Sequence, residues 1–465
     1  MTAPVIWIVF PFLISMICLL FREKRLLAMG IAALASLALV IIAASIPIGE
    51  VSKIGFWNLE ISPDLMVFGR KFQILDTDRP ILILLYGLGT FWFLGSRIAG
   101  APKIFVPVGL AIISILVASI AVEPFLYASL LIELAVLLSI PLLIFEENKV
   151  GKGIIRYLVF QTLAVPFILL AGWAFGLAES NPAGTERLLQ ATIMLGIGFS
   201  FWLAVFPFYS WVPMLVEDSS PYVAGFLLSL LPTAVFMLAL DFLNGFAWLR
   251  AQAFLFTAFQ LTGVIMVMIG GIWAAYQSSV AKILGYAVIF ETGFALLALS
   301  LDTEMGYSAF AGAFLPRILG IALISLGISV FRNQKIQSDL GSLQGRFYQF
   351  PFASTAIILG CFSLAGLPTL ASNPAQFAII EGLAGQSTPV AIWTIIGSFG
   401  LIFAGFRLLI AFLSSDTRKW QIQETPVQSL FLSGGMLLII LMGWFPNIFL
   451  KTFIGLLQAF PNLMK

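Results

Sequence analysis

Histidine is missing from all 465 residues. Its absence excludes imidazole-bound metal or haem, a histidine-based catalytic triad and a histidine proton shuttle. Cysteine occurs twice, at Cys18 and Cys361, each inside an apolar run. Two isolated thiols cannot frame a disulfide scaffold or a metal cluster, so they read as buried membrane thiols. Charge is equally scarce. Asp, Glu, Lys and Arg make up 10% of the chain and leave a net charge of +2, against about 25% charged residues in a soluble domain. So weak a field offers no hold for nucleic acid. Glycine runs such as LGIGFS (195–200) lie within apolar stretches, not between a strand and a helix, and are not phosphate loops. The sequence therefore predicts no cofactor, no metal, no redox centre and no catalytic residue in this chain.

Apolar residues are what the chain has in excess: they form 60% of it, and the mean hydropathy is +1.06. A water-soluble fold cannot hide that much, whereas an all-α polytopic membrane protein places it in lipid. Windows of about 20 apolar residues predict about fourteen spans, near 3–21, 27–46, 79–97, 104–122, 124–145, 154–177, 188–211, 221–241, 252–275, 279–301, 306–331, 351–384, 388–413 and 428–450. The opening MTAPVIWIVFPFLISMICLLF has no basic residue ahead of its apolar run and reads as a first span, not a cleaved signal. Segment 47–78 is expected to form an external loop or hairpin, and 451–465 a short interfacial tail. Lys and Arg favour one set of loops. With both termini outside, fourteen of the 24 fall on the cytoplasmic side and eight on the outer side, leaving Arg317 and Arg407 within spans. The bias predicts outer termini in a prokaryotic plasma membrane, with a thylakoid or organellar inner membrane as the alternative.

An ionisable group at bilayer depth costs at least ~2.5–3.5 kcal/mol on insertion scales, so each one asks for a partner or a task. Glu133 sits in LYASLLIELAVLLSIPLLI (126–144). It reads either as a structural carboxylate or as part of an ion path. Glu291 (in 285–300) and Arg317 (in 309–327) lie on consecutive spans and are expected to form a buried ion pair, which can be purely structural. Arg407 is expected to snorkel toward one membrane face.

Two spans carry interior prolines, Pro207 with Pro213 and Pro368 with Pro374. Each proline removes a backbone donor, and in hydrocarbon the freed carbonyl must be met by protein or water. The 351–384 window is too long for one straight span and holds GLPTLASNP (366–374) in its middle, which predicts two half-helices. LIELAVLLS (131–139) and IFETGFALLALS (289–300) share a pattern. They lie on the fifth and tenth spans, and the proline-broken spans are the seventh and twelfth. Both offsets are five, and an odd offset inverts topology. Two inverted five-helix units are expected, 104–241 and 252–413, flanked by 1–103 and 414–465; broken helices in two halves point to a transport pathway.

EPFLYASLLIELAVLLSIPLLI, GKGIIRYLVFQTLA, FPFYSWVPMLVEDSSPYVAGFLLSLL (206–231), SVAKILGYAVIFETGFALLALSL (279–301) and GSLQGRFYQFPFASTAIILGCFSLAGLPTLASNPAQFAIIEGL (341–383) follow one another in order. Over roughly 80–415 the chain resembles the antiporter-like membrane subunits of respiratory complex I, shared with membrane-bound hydrogenases and multisubunit cation/proton antiporters. The resemblance implies fourteen helices, broken helices 7 and 12, a polar axis along the membrane mid-plane and other membrane subunits as partners.

The departures from the family's pattern bear on function. Its proton path pairs the fifth-helix Glu, here Glu133, with a seventh-helix Lys four residues before Phe-Pro-Phe; that position is Trp202. The family's His after Phe-Pro-Phe is Tyr209, and its eighth-helix Lys or His falls near Thr233, beside Pro232. Its tenth-helix His appears as Glu291, its eleventh-helix Lys as Arg317, and its twelfth-helix Lys or Glu as Gln376. A buried Lys can change protonation near neutral pH; Trp cannot titrate and Arg in practice does not. Three readings follow. The first is a subunit of a complex-I-like NADH (or other donor):quinone oxidoreductase assembly, pumping or degenerate. The second is a subunit of a multisubunit sodium/proton antiporter. The third is a non-transporting membrane scaffold.

Overall fold

The computed structural model describes residues 2–54, 57–67, 69–144, 151–180, 185–414 and 420–463. Lys149, Arg418, Lys419 and Lys465, which enter the charge bias above, lie outside them. The described chain is mostly helical. A π-helical stretch at Val5–Val9 leads into α1 (Phe10–Leu20), followed by α2 (Arg25–Ser45), α3 (Arg79–Gly95), α4 (Phe105–Ala121), α5 (Ala128–Leu143) and α6 (Lys152–Ser180). Then come α7 (Thr185–Trp202), α8 (Trp211–Asp218), α9 (Pro221–Gly245), the single turn α10 (Ala247–Arg250), α11 (Ala253–Tyr276), α12 (Val280–Ser300) and α13 (Glu304–Asn333). The chain closes with α14 (Pro351–Leu364), α15 (Asn373–Gln386), α16 (Thr388–Leu413), α17 (Pro426–Trp444) and α18 (Pro446–Ile454). Among the described residues, nine helices are long and apolar enough to cross a membrane, and four shorter apolar helices accompany them.

Segment 47–78 forms antiparallel hairpins. Strand β1 (Val51–Ile54) pairs with β2 (Trp57–Glu60), Val51 opposite Glu60. Strand β3 (Asp64–Val67) pairs with β4 (Arg70–Gln73), and the short β5 (Val122–Glu123) joins the edge, placing Lys71 opposite Glu123. Lys71 bridges Asp64 at 3.4 Å and Glu123 at 3.5 Å.

Several expected spans are shorter or divided. The window 124–145 starts with a 3-10 turn at Phe125–Tyr127 that runs straight into α5, and Glu133 lies near the middle of the span Phe125–Leu143. The window 428–450 is split: α17 ends at Trp444 and α18 restarts at Pro446, because proline has no amide to continue the ladder and pushes Phe445 out of helical conformation.

Burial sorts the helices into an interior and a rim. In α9, α12 and α13, 94% of the apolar window is buried inside the protein; in α11 and α17 the share is 22%. Association inside lipid rests on close packing, not on release of water. Gly271 of α11 shows this: a methyl placed there would sit 1.8 Å from the Gly397 carbonyl of α16.

Candidate functional site

The first cluster is built on α5, α6 and the end of α7. Glu133 is half-buried, and its Oε1 accepts a hydrogen bond from Thr162 Oγ1 at 2.8 Å. Its Oε2 is buried and has no hydrogen-bond partner. Next to Thr162, Gln161 exchanges two bonds with Trp202: the indole Nε1 donates to the Gln161 carbonyl at 3.1 Å, and Gln161 Nε2 donates to the Trp202 carbonyl at 3.2 Å. One turn toward the start of α6, Tyr157 and Ser139 of α5 join hydroxyl to hydroxyl at 3.0 Å. Trp202 is thus pinned at the end of α7, against the helix that also serves Glu133.

Beyond Trp202 the helix stops. Ala204 takes a left-handed φ of 52°, Val205 N donates back to the Ser200 carbonyl at 2.9 Å, and the chain resumes as a 3-10 turn at Phe208–Ser210 and then α8. Pro207 lies in this gap and Pro213 in the first turn of α8. Tyr209, half-buried, stacks on Phe206. Thr233 is buried in α9 and spends its hydroxyl on the Ser229 carbonyl at 2.8 Å.

The second cluster joins α12, α13 and the break between α14 and α15. Glu291 and Arg317 are each 3% exposed. They do not form the expected ion pair, since no contact between them lies within 4.0 Å. Instead Glu291 Oε1 accepts from Gln376 Nε2 at 3.0 Å. Arg317 Nη2 reaches Thr292 Oγ1 at 3.4 Å, its guanidinium carbon sits 5.9 Å from the centre of the Phe236 ring, and its Nε has no partner. The physical reason is competition. Gln376 offers Glu291 an amide donor from α15, while Arg317 leans on an aromatic face of α9.

Gln376 also closes the break. Its Nε2 donates to the Leu364 carbonyl at 2.9 Å, and Asn373 Nδ2 donates to the Gly366 carbonyl at 2.9 Å. Pro368 lies in the gap, and Pro374 in the first turn of α15, where a missing amide costs nothing. Arg407 reaches the end of a neighbouring helix: its Nη1 donates to the carbonyls of Ala275 and Gln277 (the latter at 3.0 Å) at the C-terminal end of α11, which suits both the orphan carbonyls and the helix dipole.

Each cluster thus holds one carboxyl group, able to gain or release a proton, beside the end of a half-helix. Only the second holds a fixed cation. Gln161, Thr162, Thr292 and Phe236 escaped the sequence reading. Gln161 and Thr162 had a signal, as adjacent polar residues within an apolar window; Phe236 had none, because an aromatic in a buried helix looks like any core residue.

Residues 175–404 match the family described as NADH:quinone oxidoreductase/Mrp antiporter membrane domain. The chain is 26% identical over 361 residues to NADH-quinone oxidoreductase subunit N of Francisella tularensis subsp. holarctica, covering 70% of this chain and 72% of that one. It is 28% identical over 337 residues to subunit N 1 of Herpetosiphon aurantiacus, covering 65% and 66%; by sequence the chain thus matches about two thirds of these relatives' length. Its fold superposes on a chain of the archaeal membrane-bound sulfane sulfur reductase with a TM-score of 0.83 at 17% identity, covering 99% of this chain and 98% of that one. Against a chain of the Mrp complex from Dietzia the TM-score is 0.79 at 14% identity, covering 98% and 97%. For respiratory complex I of Thermus thermophilus it is 0.73 at 17% identity, covering 98% and 100%. Over 175–404 the chain is thus similar to the NADH:quinone oxidoreductase/Mrp antiporter membrane domain, and along nearly its whole length it shares the fold of these membrane-complex chains.

Proposed function

We propose that this chain is a membrane subunit of a complex-I-like NADH (or other donor):quinone oxidoreductase assembly, in which the family's proton path is broken and the fold is kept chiefly to hold neighbouring membrane subunits. The observation that carries this reading is the reciprocal bonding of Trp202 with Gln161. The position where the family carries a titrating Lys is filled by an indole that is locked in place and cannot take up a proton. Glu133 therefore has no lysine at that position of α7, and in the second cluster Arg317 stands as a permanent charge.

Fourteen spans, outer termini and two inverted units, 104–241 and 252–413, belong to the same proposal. What supports the repeat is the way α7 and α14 end. Left-handed residues follow both at the same offset, Ala204 and Gly366, and Val205 N to Ser200 O corresponds to Leu367 N to Phe362 O. A glutamine amide then caps each last helical carbonyl, Gln161 on Trp202 and Gln376 on Leu364.

Proton uptake by vesicles holding the assembled complex, measured per quinone reduced, tests the reading. A non-pumping subunit leaves it unchanged in Glu133→Gln. A several-fold fall makes Glu133 a carrier and overturns the proposal. The sodium/proton antiporter reading shares the fold, as the Dietzia Mrp chain shows; the chains that co-purify with this one separate the two.

A further inference from the structure

A cavity of about 290 Å3 lies between α7 and α11, with α9 and α12 as its floor. Its mouth opens on the exposed apolar surface: Ile193 of α7 is 51% exposed and Phe254 of α11 is 41% exposed. Its floor, at Phe236, Phe242 and Leu299, is buried in the core. The lining is almost wholly apolar. The three hydroxyls in the wall all donate back to their own helices, Thr192 to Leu188, Ser200 to Gly196 and Thr262 to Ala258. No donor is left to hold water, which needs two to four polar partners to stay in a cavity. An empty space of this size would forfeit dispersion contacts along its whole wall.

The inner end of the cavity touches Leu203 and Val205, in the gap between α7 and α8. Unwound backbone is normally a poor neighbour for hydrocarbon. Here the amides of Leu203 and Val205 are already bonded to the carbonyls of Phe199 and Ser200, so an apolar chain can lie against the break without stripping a free donor of water.

We propose that this cavity is the seat of one acyl chain of a bilayer lipid, which enters between α7 and α11 and packs against the break after Trp202. The occupant is set by continuity: the mouth opens onto the same exposed apolar surface that meets the bilayer, with Leu189 and Leu261 beside it on the two helices. The cavity has no built polar end for a headgroup, so the site selects hydrocarbon and not a particular lipid class.

Photolabelling decides it. The protein, purified with the chains that accompany it, is reconstituted in nanodiscs of phosphatidylcholine carrying a diazirine midway along one acyl chain. After irradiation, labelled positions are mapped by mass spectrometry. The expected result is label on the inner wall, at Leu203, Phe242 or Leu299, as well as at Ile193. A methyl at Gly196 meets nothing within 4 Å, so Gly196→Leu has room to fill the space. It should cut inner-wall label several-fold and leave Ile193 labelled, while Gly196→Ala leaves the pattern unchanged. Label confined to Ile193 and Phe254 overturns the proposal. So does equal inner-wall label from a water-soluble diazirine, or inner-wall crosslinks to a co-purifying chain in place of lipid. If Gly196→Leu does not fold, the wild-type and Gly196→Ala patterns still give the answer.

Discussion

At the scale of single residues, backbone strain and close contact coincide at Gly366. Its φ of +74° lies in the left-handed region, and a methyl there would sit 2.1 Å from Gln376 Oε1. Both strain and clash act against a side chain. Gly366→Ala is expected to destabilise the protein by more than about 1 kcal/mol and to displace Gln376 from Glu291, read as a lower denaturation midpoint in detergent. Gly434→Ala, on an open helical surface, is expected to gain a few tenths to about 1 kcal/mol instead. Asp78, ahead of α3, offers a pH test. Burial pushes its carboxyl up to about 6; the Leu75 amide draws it down and Asp76 raises it again. A folded-state value above the unfolded one, 3.8, means the folded state holds the proton more tightly. The stability tied to Asp78 is therefore complete below about 4 and is lost as pH rises through about 6. Asp78→Asn should be more stable than wild type at pH 7, and the gap should close by pH 4; a gap independent of pH would show that the carboxyl does not titrate in that window. Glu291 and Gln376 were both legible as odd polar residues in apolar sequence. Their partnership was not, since the 85 residues that separate them are brought together only by packing of α12 on α15.

At the scale of elements, the two broken helices are the features the sequence announced most clearly, through Pro207 and Pro368. Proline marks where the ladder fails but not how the chain crosses the gap. That is decided by left-handed residues at Ala204, Gly366 and Thr369 and by side chains from elsewhere that take up the loose carbonyls. Thr369 has a φ of +73° and is exposed, a costly conformation for a β-branched residue. Thr369→Gly should raise the unfolding midpoint by the equivalent of about 1 kcal/mol, measured against wild type in the same detergent; an unchanged or lower midpoint would mean the threonine carries contacts that offset its strain. Element ends were the least legible part, as the divided 428–450 window and the late start of α5 show. Both depend on where a proline falls within a turn, which window hydropathy averages away.

At the scale of the whole molecule, the expectation of outer termini is open to direct measurement. Cys18 and Cys361 are fully buried, so an impermeant maleimide should meet little background. In oriented membranes, Ser62→Cys should label from outside and Gln344→Cys only after permeabilisation; the reverse pattern would invert the topology. Composition alone determined that this chain lives in lipid, because 60% apolar residues and 10% charge leave no other place for its surface, and the spacing of apolar runs followed from bilayer thickness. The order of its motifs was enough to bring out the similarity to the NADH:quinone oxidoreductase/Mrp antiporter membrane domain. Only the tertiary structure decided which helices are interior, α9, α12 and α13, and that Arg317 turns to Thr292 and Phe236 while Gln376 takes Glu291. Hydropathy is a sum over neighbours along the chain, whereas a buried polar group chooses its partner among atoms that only packing brings within reach.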